Sequence, residues 1–167
     1  VVYMILNNMI YHDGYSEESV FQKLILIVLI IPVFSALRLA NFNIDKNQTS
    51  EFIGLPTPAN ALFIASFSAY LYSNQTFSDF IGPVGLIMLI VFLSVLLLLP
   101  VRFIALKFKS FKWRGNEFRY VFMFFAISII SVCVLKDCIV VSISIIILLY
   151  ILISIITNII NIKSYEV

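Results

Sequence analysis

In the stretch SALRLANFNIDKNQTSEFIGLPTPANALF, Ser35 to Phe63, one guanidinium and one helix start stand close together. Arg38 falls in the last turn of an apolar run, where a cation complements the helix dipole. In GLPTPAN, Thr57 is a good N-cap, and Pro58 then takes the first helical position, which suits proline. Gly54 relaxes the backbone just before, and Pro56 restrains it. A helix beginning at Pro58 would turn its free amides toward the side that carries Arg38. Helix N-termini bind anions, and a guanidinium holds phosphate or carboxylate by charge-assisted hydrogen bonds. The chemistry open to this stretch is capture of an anion. A capped helix and a snorkelling arginine explain the same residues with no ligand at all.

Other reactive types are sparse. His12 and Asp13-Gly14, in YHDGYSEES, read as a solvated outer loop, and a lone histidine makes no metal site. Asp45, Glu51, Glu117 and Glu166 do not share a helix face, so no metal is assigned to them. Cys133 and Cys138 flank Lys136-Asp137 and read as small hydrophobes, with a disulfide as the alternative in an oxidising compartment. The Asn-x-Thr triplets at Asn47 and Asn74 carry no meaning in a bacterial inner membrane.

The elements that must position Arg38 and the GLPTP turn are membrane helices. The chain is 62% hydrophobic and 12% charged, with mean hydropathy +1.07, against about a quarter charged in a soluble domain. Five segments suit a spanning helix: Leu24–Ala40, a shorter Pro58–Tyr72, Ile81–Leu99, Phe118–Leu135 and Cys138–Ile160. Val1–Ile10 is half a span. Their Ile, Val and Phe content would favour strands in water, but lipid leaves an open strand's amides unpaired, so helix is expected. The fold class is all-α: a polytopic transmembrane bundle of half a span plus five, residues 1–167 forming a single membrane domain.

Nine basic residues (Arg38, Lys46, Arg102, Lys107, Lys109, Lys112, Arg114, Arg119, Lys163) fall on one side and two (Lys23, Lys136) on the other. The richer side is expected to be cytoplasmic. RFIALKFKSFKWRGNEFR could bind anionic head groups there, though an ordinary inner loop reads the same. The net charge of +2 is too small to suggest nucleic acid. No charge is expected mid-span, which counts against an ion-coupled transporter. Ala61, Ala65 and Ala69 recur every four residues, a face on which another helix can pack closely.

ALRLANFN followed by FIGLPTPANA resembles the phosphatidylserine synthase subgroup of the CDP-alcohol phosphatidyltransferases. The likeness is close from Ala36 to Leu62. KFKSFKWRGNE is similar to a cytoplasmic loop of some bacterial members, and the remaining spans agree only in hydropathy. Asn41 stands where the subgroup usually has a second arginine. The resemblance implies transfer of a phosphatidyl group from CDP-diacylglycerol to L-serine, with release of CMP, at a site open to the cytoplasmic side of the inner membrane. It implies a homodimer among membrane lipids, with no nucleic acid. Arg38 is then expected to contact a phosphate or the serine carboxylate, with Asn43, Gly54, Thr57 and Asn60 shaping the pocket mouth. It also implies a divalent metal, Mg or Mn, held by an aspartate motif that this chain lacks. That motif is expected upstream of Val1, which would leave the 167 residues inactive alone. The alternatives are another acceptor, such as glycerol phosphate or inositol phosphate, and a non-catalytic transporter or structural membrane protein.

Overall fold

The computed structural model describes residues 2–12, 25–44, 52–103, 113 and 116–165. Asp13-Gly14, Lys23, Asp45, Lys46, Asn47, Glu51, Lys107, Lys109, Lys112, Arg114 and Glu166 lie outside the described residues.

The protein is an all-α helix bundle. Its helices are α1 (Val2–His12), α2 (Ile30–Ile44, entered through a 3-10 turn at Ile25–Leu29), α3 (Thr57–Ser73), α4 (Gln75–Leu98), α5 (Glu117–Leu135) and α6 (Ile139–Tyr165). Among the described residues, four stretches are long and apolar enough to cross a membrane: Leu26–Ile44, Gln75–Leu98, Glu117–Leu135 and Ile139–Ile159. Helix α3, with 17 residues, is at the short end of that range, and α1 matches the expected half span.

The distribution of polarity is that of a membrane protein. Large apolar side chains such as Met4, Leu26, Tyr72, Phe80, Met88, Phe124 and Leu135 are exposed. The buried positions include Arg38, Asn60, Ser66, Ser68, Ser94, Ser142, Ser144 and Ser154. In lipid the apolar faces need no cover, and helices meet where small or polar groups let them approach. Helix α3 packs chiefly on α6, α2 on α4, and α5 on α6. Ser66 Oγ and Ser144 Oγ are 2.6 Å apart and join α3 to α6.

Helix α3 does lie inside the bundle, touching α1, α2, α4 and α6, but by a different face from the one expected. Ala61, Ala65 and Ala69 are exposed. Phe63, Ser66, Ser68 and Leu71 are buried instead, because Phe63 and Leu71 supply buried bulk and Ser66 the close approach to α6.

Two turns shape the bundle. Asn74 alone separates α3 from α4, and its side chain caps α4 by accepting from Phe77 N at 3.1 Å. Gly82, at φ 61°, then breaks α4 just before Pro83. The α5–α6 hairpin closes in a Schellman motif: Cys138 N donates to Cys133 O at 3.0 Å and Asp137 N to Val134 O at 3.3 Å. Cys133 and Cys138 are both free thiols. They occupy the two positions where that motif usually makes its apolar contact.

Asp137 takes the left-handed position, φ 53°, which costs a residue with a Cβ more than glycine. Asp137→Gly is expected to stabilise the chain by about 1 kcal/mol. Denaturant unfolding in micelles checks this, and an unchanged or lowered midpoint would mean that the aspartate has a contact worth more than the strain.

Candidate functional site

Arg38 is the only buried side chain of α2. It continues the half-buried stripe Val28, Ile31, Phe34, whose spacing of three to four residues keeps one face toward the bundle. The expectation of an arginine in the last helical turn, snorkelling to water, is corrected. Helix α2 runs on through Asn41, Phe42 and Asn43 to Ile44, so Arg38 lies six residues from its end, about 9 Å along the axis. No glycine or proline stops the helix before Ile44. Arg38 is 5% exposed. Its guanidinium carbon sits 5.5 Å from the centre of the Phe42 ring, one turn on. Its Nε has no hydrogen-bond partner, and no acidic side chain is buried among the described residues. Arg38 thus lies six residues inside the Leu26–Ile44 stretch, farther from its end than the last turn.

Gly54 explains how the turn before α3 reaches this arginine. β1 (Phe52–Ile53) pairs antiparallel with β2 (Arg102–Phe103), placing Ile53 opposite Arg102. Gly54 N then donates to Val101 O at 2.8 Å, and Leu55 N to Leu96 O at 3.0 Å. The second bond satisfies one of the carbonyls that the end of α4 leaves open. The strap lies so close to α4 that a Cβ on Gly54 would stand 2.3 Å from Leu97 O and 3.4 Å from Arg38 Nε. Gly54 also adopts φ +79°. Both facts require glycine here.

Thr57 is not the N-cap. Helix α3 starts at Thr57 itself, with Pro56 as the cap residue at φ −60°, ψ 128°, and no side chain bonds to the helix start. Asn60 N donates to Pro56 O at 3.1 Å, the first bond of the helix. The proline at 56 already has the extended backbone a cap needs, and Pro58 removes one of the amides Thr57 would have served. Thr57 is half-buried. Asn60 is 1% exposed, and its Oδ1 has no partner. Asn43 is exposed. It stands five residues beyond Arg38, about 140° around the helix, and does not share its face. The fold therefore brings Gly54 against Arg38, buries Asn60 in the first turn of α3, and leaves Asn43 outside.

Ser94 was not anticipated. It is fully buried, with an unpartnered Oγ. Its signal was there to find: Ser94 is the only polar residue between Gly85 and Pro100. Phe34, one turn before Arg38, and Ala59, next to Asn60, pack against an apolar cluster that includes Leu93, next to Ser94, with Leu55, Phe63, Leu96 and Leu97.

The site can hold an anion on a buried cation. Among the described residues no three His, Cys, Asp or Glu side chains come together as metal ligands, so these residues do not themselves fit a divalent ion. Comparison of the chain with protein-family models, curated proteins and solved structures gives no match.

Proposed function

We propose that this chain is the membrane portion of a CDP-diacylglycerol–serine phosphatidyltransferase, in which Arg38 holds an anionic group of a substrate. The observation that carries this reading is the buried Arg38 guanidinium, with no buried acid among the described residues, lying against the Gly54 strap. A buried cation needs a counter-charge, and an anionic substrate supplies one. The serine hydroxyl oxygen would attack the phosphorus of the phosphatidyl group. The diphosphate bond breaks, CMP leaves, and the hydroxyl proton passes to a base. This reading also requires a base and a divalent metal (Mg or Mn), for which the described residues bring no cluster of three His, Cys, Asp or Glu together. The charge asymmetry supports a cytoplasmic-facing site in an inner membrane, and the resemblance supports a homodimer.

The test is made on the intact reading frame in proteoliposomes containing CDP-diacylglycerol. Label from L-serine should enter lipid, with matching release of CMP. Label entering only from glycerol phosphate would replace serine as the acceptor. The depth of Arg38 favours one other reading, passage of a solute, because ionisable groups within spans mark substrate pathways. Uptake of an anionic solute with no lipid product would establish it.

A further inference from the structure

The chain has two cysteines in 167 residues, and the fold puts both into one turn. Cys133 stands in the last turn of α5, and Cys138 is the residue before α6. Any two apolar residues would serve as the contact pair of a Schellman motif. Here the pair is two thiols, in hydrogen-bond contact with each other. The backbone limits their separation. Cys138 N donates to Cys133 O at 3.0 Å, and standard bond lengths then hold the two Cα atoms within about 7 Å, closer for any bend. A disulfide spans Cα atoms about 4.4–6.8 Å apart. Among the described residues no third His, Cys, Asp or Glu joins the pair as a metal ligand.

We propose that Cys133 and Cys138 form a reactive dithiol that closes to an intrachain disulfide by exchange with a disulfide oxidant. The inference stands apart from the anion reading of Arg38. Exposure gives the two sulfurs different parts. Cys133 is the only buried side chain of α5, whereas Cys138 is half-buried. An incoming disulfide therefore reaches Cys138 first. The Cys138 thiolate attacks one sulfur of the oxidant, whose S–S bond breaks and releases one thiolate. The Cys133 thiolate then attacks Cys138 Sγ, and the second sulfur of the oxidant leaves. The pair has lost two protons and two electrons, and the oxidant has become two thiols. The compartment suits the product. The turn lies one span from the basic residues Arg102 to Arg119, so the charge asymmetry supports its facing the non-cytoplasmic side, where disulfides persist. Closure ties the last turn of α5 to the start of α6, the helix on which α5 chiefly packs.

The experiment equilibrates the chain in nanodiscs with mixtures of reduced and oxidised glutathione. Acid quenches the exchange, detergent unfolds the chain, a maleimide blocks free thiols, and intact mass is read. Both thiols should vanish together, with neither maleimide nor glutathione added and no covalent dimer. Cys133→Ser should stop as a mixed disulfide of Cys138 with glutathione. Cys138→Ser should react at least about tenfold more slowly, because its remaining thiol is buried. Amide exchange at Asp137 and Cys138, whose N–H groups make the turn, should slow at least about tenfold on oxidation. In cells expressing the chain, the same quench should leave both cysteines unlabelled unless a reductant is added first. Two open thiols in excess oxidised glutathione, two glutathione adducts, or covalent dimers would each overturn the inference. Labelling of both cysteines in cells without reductant would overturn the disulfide as the resting state.

Discussion

Gly54→Ala should cost the protein about 3–5 kcal/mol and abolish ligand binding, the largest effect expected of any single methyl group here. Two penalties add. The left-handed backbone, φ +79°, costs a Cβ-bearing residue about 1–2 kcal/mol. The new methyl also stands 2.3 Å from Leu97 O, a helical backbone carbonyl that cannot swing aside. Relief would pull the strap off α4 and break Gly54 N to Val101 O and Leu55 N to Leu96 O. Gly82→Ala is the control. Gly82 has a similar φ, +61°, but nothing lies within 4 Å of its missing Cβ. That substitution should cost only about 1 kcal/mol. Denaturant unfolding in micelles compares the two. Equal costs would mean that the close approach at Gly54 does not exist.

Arg38→Leu should have the opposite signature: function lost, fold kept. Ligand binding, and turnover in the intact protein, should fall at least about 100-fold, because a charge-assisted hydrogen bond and the counter-charge go together. Stability should hold or rise by about 1–2 kcal/mol. A buried cation without a buried acid is costly, and leucine suits the apolar cluster around it. What is given up is the contact with Phe42, worth about 0.5–1 kcal/mol. Arg38→Lys should fall between, keeping the charge and losing the planar donor. Unfolding and binding measured on the same preparation decide the matter. A variant that loses stability and function together would make Arg38 a structural residue, and one that keeps function would remove it from the site.

The helices were legible because lipid sets their length. Expected Phe118–Leu135 and observed Glu117–Leu135 differ by one residue, and expected Pro58–Tyr72 and observed Thr57–Ser73 by one at each end. Hydropathy could not show where α2 ends, since Asn41 and Asn43 are polar yet helical. That one error put Arg38 in water when it is buried. The strap was illegible for another reason. Pairing of Phe52 with Phe103 joins residues far apart in sequence, and two-residue strands have no periodicity to read. Arg38 and Gly54, named from helix-end chemistry and the resemblance, lie close together in the fold. Asn43, named through its match to the same motif, is exposed and lies on a different face of α2 from Arg38. Ser94 passed unnoticed because one hydroxyl in an apolar run does not change its hydropathy.

The lone buried arginine of α2 also bears on how the chain enters the bilayer. From Leu26 to Ile44 there are twelve Leu, Ile, Val and Phe residues, each worth about −0.3 to −0.6 kcal/mol on the translocon scale at a helix centre. Arg38 takes back about 2.5–3.5 kcal/mol, and Pro32, Ser35, Asn41 and Asn43 add to the debt. Alone, α2 therefore inserts with a thin margin and its guanidinium toward lipid. The helix that it packs on most closely, α4, emerges from the ribosome only later. Assembly then has an order: α2 waits, loosely held, until α4 arrives to cover its arginine, and the strap can close only after that.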